Sequence, residues 1–335
     1  MKIVVRTPNW IGDVIFALPA LESLTANYPE AEIRLAAGGR VKEIFEGEEF
    51  AGRLIPLPLS NTFKNFRESA KILKGEGFDI GLLLANSFSS AFLFAAAKIP
   101  QRWGYKRDGR GLFLTKGVHP GDEDPPVHMV HYYLRLLEGL DLKTLPPEIR
   151  ITVSAEEKEK ARRELAAAGA DPKKPLVILN PGAAYGPAKR WPASGFAELA
   201  RLLQERKSMD IAITGAPEDA ALGAEIASGL ARKPIDLVGK TTLRGLFGVI
   251  SRASVFITND TGPMHMANAL RVPVVGIFGP TDPRVTGPFH PPATVIRKEE
   301  IPCRPCSYRQ CPYDHRCLRR IPAEEVYDAA AAYLP

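Results

Sequence analysis

The chain lacks several features that would each have narrowed its function at once. No long apolar stretch follows Met1, because Met1 to Thr7 is one short, charged, strand-like run. The expectation is a protein without a secretory leader that stays in the cytoplasm. Neither a GxxxxGK[ST] phosphate loop nor a GxGxxG dinucleotide fingerprint occurs, which removes the two commonest glycine-loop routes to a nucleotide. Cysteine is scarce and confined, with all four residues at Cys303, Cys306, Cys311 and Cys317 and His315 among them. In a reducing compartment such clustering suggests a metal more than disulfides. The spacing is too compact for paired zinc knuckles, so reduced thiols are the other reading, and a segment placed after the last strand is expected to lie away from the glycine loops.

What remains is the composition of an ordinary globular enzyme. The 335 residues are 45% hydrophobic and 24% charged, which excludes a disordered or fibrous chain and gives a prior of two domains. The 28 glycines and 30 prolines are scattered without a repeating period, so many loops are expected but no repeat array. A net charge of +6 favours an anionic partner without choosing among nucleotide, phospholipid and nucleic acid. The longest uncharged run, Ile80 to Ala97, has Asn86-Ser87-Phe88-Ser89-Ser90 at its centre. It reads as a buried strand, a polar loop and an apolar helix rather than a membrane span.

Short apolar strands alternate with helical patterns along both halves. Strands are expected at 2–6, 32–36 and 79–84, with helices at 14–24, 41–45, 63–74 and 131–140 and a surface loop over 117–126. Beyond Pro146-Pro147 the alternation resumes, with Ser154 capping a charged helix to Ala168 and strands at 176–179, 210–214, 235–237, 254–257 and 274–278. Helices fit between these strands at 194–207, 220–230, 243–250 and 263–270. The pattern predicts two α/β lobes with parallel sheets and a binding crevice at the carboxyl ends of the strands.

Four segments carry the chemistry. In Thr7-Pro8-Asn9-Trp10-Ile11-Gly12-Asp13, Asp13 falls at or near a helix start, where the dipole keeps a carboxylate ionised; a plain N-cap and a proton acceptor both fit. Asn180-Pro181-Gly182-Ala183-Ala184 and Ile257-Thr258-Asn259-Asp260-Thr261-Gly262-Pro263-Met264-His265 each follow a strand with a glycine turn, and Lys189-Arg190 lies just beyond the first. Together they suggest a diphosphate cradle with a cationic arm, although each turn alone is an ordinary turn. The basic stretch from Arg102 to Arg110 suits a grip on phosphates or carboxylates, or is simply a solvated loop. Trp103 and Tyr105 lie within it, but no nucleic-acid module accompanies them and no nucleic-acid partner is expected.

In their order and spacing these segments, with Lys189-Arg190-Trp191-Pro192 and Gly279-Pro280-Thr281-Asp282-Pro283, resemble the bacterial ADP-heptose:lipopolysaccharide heptosyltransferases, glycosyltransferase family 9. Ala85-Asn86-Ser87-Phe88, Arg102-Trp103-Gly104-Tyr105 and the cysteine segment look like type II members rather than type I. The resemblance covers nearly the whole chain and implies an α/β GT-B fold, two Rossmann-like parallel-sheet domains facing a central cleft. Residues 1–150 would bind the acceptor, residues 151–320 the nucleotide sugar, and a helix within 321–335 would cross back to the first domain. It further implies Asp13 as catalytic base, Lys189 near the donor phosphates, and Asp260, Thr261, Gly262, Pro263, Met264 and His265 as the diphosphate loop, assisted by Gly182 and Ala183. Asp219, with Glu218 beside it, matches the ribose contact, and Asn86, Ser87, Arg102, Lys106, Arg107 and Arg110 would hold the acceptor. No metal or other cofactor is implied.

The implied reaction is inverting transfer of L-glycero-D-manno-heptose from ADP-heptose to the first heptose of the anionic Hep-Kdo2-lipid A core, at the cytoplasmic face of the inner membrane and without a transmembrane segment. The alternatives are a type I or other family 9 transferase with a different acceptor, a nucleotide-sugar epimerase on the same fold, and a non-catalytic bilobed binding protein.

Overall fold

The computed structural model describes residues 1–47, 51–58, 62–121 and 126–335. The chain divides into two compact units, Met1–Arg150 and Ile151–Pro335. In the first, the strands are β1 (Lys2–Arg6), β2 (Glu32–Ala36), β3 (Ile80–Leu83), β4 (Gln101–Tyr105) and β5 (Lys116–Val118), and the helices α1 (Ile11–Asn27), α2 (Phe63–Glu76), α3 (Phe88–Ala96) and α4 (Met129–Glu138). Among the described residues they form a sheet in the order β2-β1-β3-β4-β5, and every pairing is parallel. Ile3, Val4 and Val5 are fully buried, as a β-branched run covered on both faces must be. From β1 the chain moves to β2 on one side and then to β3 on the other. The loops after β1 and β3 therefore diverge at a switch point, where doubly wound sheets bind ligands.

The second unit repeats this logic with α5 (Ala155–Ala167), β6 (Leu176–Asn180), α6 (Ala193–Arg206), β7 (Asp210–Ile213), α7 (Ala220–Ser228), β8 (Ile235–Asp236) and α8 (Leu243–Ile250). It continues through β9 (Val255–Asn259), α9 (Gly262–Ala269), β10 (Val274–Ile277), α10 (Pro283–Thr286), β11 (Ala293–Ile296), α11 (Arg316–Arg319) and α12 (Ala323–Ala331). The strand order β11-β10-β9-β6-β7-β8 puts its switch point between β6 and β9, which are the strands ahead of the two glycine turns. Ser154 does cap α5: its hydroxyl accepts from Glu157 N at 3.1 Å while Glu157 accepts from Ser154 N at 2.8 Å, a reciprocal capping box.

The final helix packs within the second unit. Val326, Tyr327, Ala330 and Leu334 share the second unit's core with Trp191 and Phe196, and Arg206 of α6 pairs with Glu324 at 2.7 Å and lies over the Tyr327 ring at 4.8 Å. Apolar burial holds residues 321–335 in the second unit. The 41–45 helix is a 3-10 helix, Gly39–Phe45. The basic stretch conceals β4, whose Trp103 and Tyr105 are buried while neighbouring cations reach solvent. The edge strand β5 runs from Lys116 into the expected 117–126 loop, of which Asp122–Pro125 lies outside the described residues.

Candidate active site

The first half-site forms where β1 and β3 end. Arg6, the last residue of β1, is buried, and its guanidinium donates to Thr7 O at 2.6 Å, Ala36 O at 3.2 Å and Asn9 Oδ1 at 2.7 Å. Burial pulls its pKa down to about 10. These bonds fix the loop leading into α1, and Trp10 rather than Asp13 occupies the N-cap. Asp13 stands in the first helical turn, so the plain N-cap reading is set aside while the favourable dipole remains. Its charge is felt on α4: the Tyr133 phenol is pushed well up, first by burial and next by the charge of Asp13.

Across the switch point, Asn86 follows β3 and Ser87 caps α3 by accepting from Ser90 N at 3.2 Å. Asn86 is held from both sides. Its Nδ2 donates to the Tyr132 hydroxyl at 2.7 Å and its Oδ1 accepts from Arg110 Nη2 at 2.7 Å. Arg110 is 0% exposed and also donates to Tyr105 O at 2.7 Å and to Ala85 O. Its expected role as an acceptor contact is therefore corrected, because its fully buried guanidinium is bonded to Tyr105, Ala85 and Asn86. Arg102 is corrected as well. It pairs with Gly81 near the start of β3, at the amino end of the sheet, and donates to Phe113 O and Ile99 O at 2.5 Å each. Lys106 and Arg107 follow β4 at the carboxyl end and are exposed, lining with Leu112 an open depression of about 450 Å³.

The second half-site gathers buried polar residues at the carboxyl ends of β6, β7 and β9. Thr214 donates to Asn180 Oδ1 and Asn180 donates to Thr258 Oγ1, both at 3.2 Å. Asn259 accepts from Trp191 N at 3.0 Å and donates to Pro181 O at 2.7 Å. The two glycine turns and the Lys189-Arg190 segment are thus stitched together through side chains at sequence separations near 70. Lys189 Nζ lies 2.6 Å from Asp260 Oδ2, with side-chain exposures of 12% and 3%, and Thr281 Oγ1 donates to the same oxygen at 2.5 Å. Lys189 also lies 5.0 Å from the Tyr185 ring centroid, so a carboxylate and an aromatic face aim one ammonium.

Asp260 is consequently a positioning residue for the lysine rather than a group facing an anionic ligand. Thr261 caps α9 without a side-chain capping bond, and Thr261, Gly262 and Pro263 are partly exposed at the helix start. First-turn N–H groups and the helix dipole favour an anion there, although Pro263 supplies no N–H. Met264 is 0% exposed and packs under Gly276, which corrects it to a core residue; His265 is also buried. Asp219 is corrected to a brace: it is 7% exposed, accepts from Arg190 Nη2 and Ala216 N at 3.1 Å each, and presses on Gly182. Glu218 is the exposed carboxylate of that pair. Arg190 keeps a buried Nε without a hydrogen-bond partner.

The cysteine segment lies against this half-site, contrary to expectation. Cys306 N and Ser307 N donate to Pro280 O at 2.9 Å, Tyr185 Oη donates to Ser307 O at 2.7 Å, and Ala188 N donates to Arg309 O at 3.2 Å. Tyr185 and Arg309 were missed, and Thr281 was read only as part of the Gly279–Pro283 motif, because their roles arise only where three distant loops meet. The four cysteines are free thiols. Burial pushes the Cys317 thiol up, and the other three cysteines add to the shift. No group of three or more His, Cys, Asp or Glu arranged for a metal occurs among the described residues.

Residues 66–316 match the model of glycosyltransferase family 9 (heptosyltransferase). The chain is 31% identical to lipopolysaccharide heptosyltransferase 2 of Escherichia coli K12, over 89% of this chain and 88% of the relative. It is 30% identical to lipooligosaccharide heptosyltransferase 2 of Haemophilus influenzae over the same shares, 89% and 88%. The solved E. coli ADP-heptose lps heptosyltransferase II is similar with a TM-score of 0.83 at 27% identity, covering 99% of this chain and 98% of that one. Its two Rossmann-like parallel-sheet units are of the GT-B class. The chain belongs to glycosyltransferase family 9, the heptosyltransferases.

Proposed function

We propose that the protein transfers heptose from ADP-heptose to the first heptose of the Hep-Kdo2-lipid A core of lipopolysaccharide. The observation that carries this reading is the buried Lys189–Asp260–Thr281 cluster at the β6/β9 switch point beside the α9 start. It presents one fixed cation and a helix dipole to a diphosphate. Relatives bearing the name heptosyltransferase 2, aligned over most of the chain, favour the type II reaction over the type I and epimerase alternatives. No helix among the described residues is long and apolar enough to cross a membrane; action at the cytoplasmic face of the inner membrane is part of the proposal.

Chemically, Asp13 accepts the proton of the acceptor hydroxyl, whose oxygen attacks the anomeric carbon opposite the leaving ADP and inverts its configuration. Negative charge grows on the departing diphosphate and is met by Lys189 and the first turn of α9. Gly182 and Ala183 bring backbone close to the donor. Asn86 and Ser87, held by Arg110 and Tyr132, orient the acceptor sugar, and exposed Lys106 and Arg107 meet its anionic groups. The test is mass spectrometry of the product from ADP-heptose and acceptors carrying no heptose or one. One added heptose on the mono-heptosylated acceptor is expected; no product from that acceptor sinks the reading.

A further inference from the structure

The first unit carries large apolar side chains at its surface. Phe63 is 75% exposed, Phe88 49%, Phe92 43% and Leu112 90%. They come from α2, α3 and the 3-10 turn Arg110–Phe113, where Phe88 and Phe92 join the half-buried Phe66 and Phe113 in one continuous ring cluster, and Phe63 lies one turn before Phe66 on α2. Phe66 stacks on Phe92 at 5.1 Å, and Phe113 meets Phe88 edge-on at 5.1 Å and Phe92 at 5.3 Å. Exposed aromatics joined across three elements mark an interaction surface rather than scattered surface residues.

Charge selects the occupant. The exposed side of α2 carries Lys64, Arg67, Lys71 and Lys74 against Glu68, Lys106 and Arg107 flank Leu112 with Asp108, and α3 has no charged residue. An apolar aromatic centre rimmed by cations suits an anionic lipid surface, where phenyl rings enter the interface and lysines meet headgroups. Location agrees with this. α3 starts immediately after Asn86-Ser87, and the 3-10 turn contains the Arg110 that holds Asn86.

We propose that Phe63, Phe66, Phe88, Phe92, Leu112 and Phe113 form a docking surface for an anionic bilayer, seating the Asn86 loop beside the headgroups of a membrane-anchored glycolipid. The acceptor clause rests on the function proposed above; the lipid contact itself does not.

The test is sedimentation of the full-length protein with vesicles of phosphatidylethanolamine and phosphatidylglycerol, compared with phosphatidylcholine vesicles. Wild type should sediment with the anionic vesicles, less so in high salt, and weakly with the neutral ones. Phe63→Ser with Leu112→Ser should lower the partition roughly tenfold or more, and Lys71→Glu with Arg67→Glu should abolish the preference for anionic lipid. Heptose transfer to a deacylated, water-soluble acceptor should be unchanged in the Lys71→Glu, Arg67→Glu variant. Unchanged partition of the Phe63→Ser, Leu112→Ser variant, or failure of wild type to bind vesicles, overturns the proposal; the latter points to a protein partner. Absence of transfer to any acceptor by wild type refutes the proposed reaction and leaves the sedimentation result standing.

Discussion

Replacing Lys189 by Met separates the two tasks assigned to this residue. Lys189 and Asp260 are 12% and 3% exposed and 2.6 Å apart, so removing the ammonium strands a buried carboxylate. Breaking such a pair from one side costs about 3–5 kcal/mol. Thr281, which donates to the same oxygen at 2.5 Å, offsets part of that, and a loss near 3 kcal/mol is expected. At roughly 2–4 °C per kcal/mol for a domain of this size, the second unit should melt about 6–12 °C lower. Met retains the stem over Tyr185 but no charge, and losing one fixed donor to the leaving group costs about 3 kcal/mol, or about 100-fold in kcat. Calorimetry and ADP-heptose kinetics on Lys189→Met, Asp260→Asn and the double variant form a cycle. The double variant should recover much of the melting temperature, because neither buried charge is left alone, but none of the turnover. Recovery of turnover together with stability would refute the assignment and reduce Lys189 to half of a structural ion pair.

Asp13→Asn should melt like wild type and still bind ADP-heptose while losing transfer by roughly 100-fold or more; near-normal turnover removes it as the base. Gly182→Ala should destabilise by about 1–3 kcal/mol, read by thermal melting, because a Cβ there would lie 2.2 Å from Asp219 Oδ2. Arg110→Ala should cost about 3 kcal/mol, since the Tyr105 and Ala85 carbonyls and Asn86 lose their donor; unchanged stability would show that the Asn86 loop does not depend on it. Glu157 is held below the usual carboxylate range, first by its hydrogen bond from Arg244. A lowered folded-state pKa gives stability that is present above the unfolded value, near 4.3, and lost as pH falls through the folded value. Wild type should therefore lose about 1–2 kcal/mol more than Glu157→Gln on acidification below about pH 4, measured by urea melts; parallel pH profiles would contradict it.

The parts of the fold legible in the sequence were those with undiluted period and composition. β1, β6 and β9 are continuous apolar runs between turn residues, and α5 opens on a Ser-x-x-Glu box, so their patterns admit one reading. β4 hid because its Arg102 precedes Trp103 and the exposed Lys106 and Arg107 directly follow its end, so Arg102-Trp103-Gly104-Tyr105-Lys106-Arg107 resembles a basic loop until Trp103 and Tyr105 are seen buried. The packing of α12 on the second unit was hidden for a different reason. Its apolar face is plain in the sequence, but the surface that receives it is formed by α6 and the strands beneath, over a hundred residues away.

The same distinction runs through the candidate site. Asp13, Lys189 and Thr261 follow strand ends that alternation locates, and strand ends at a switch point face a ligand in this class of sheet. Arg110, Arg102 and Asp219 have equally suitable side chains by type, yet each is committed to protein groups: Arg110 to Asn86, Arg102 to carbonyls at the opposite sheet end, Asp219 to Arg190. Charge in a sequence reports what a residue can bind, not whether the fold has already bound it. Arg6 sharpens the point, since a strand-terminal arginine is buried so that three hydrogen bonds can shape the loop before Asp13. Desolvating that cation is tolerable only with acceptors already in place, so the rigid loop is set by burial before any substrate arrives. Preorganisation of the base is thus a property of Arg6, Asn9 and Ala36, and a sequence motif centred on Asp13 alone leaves it out.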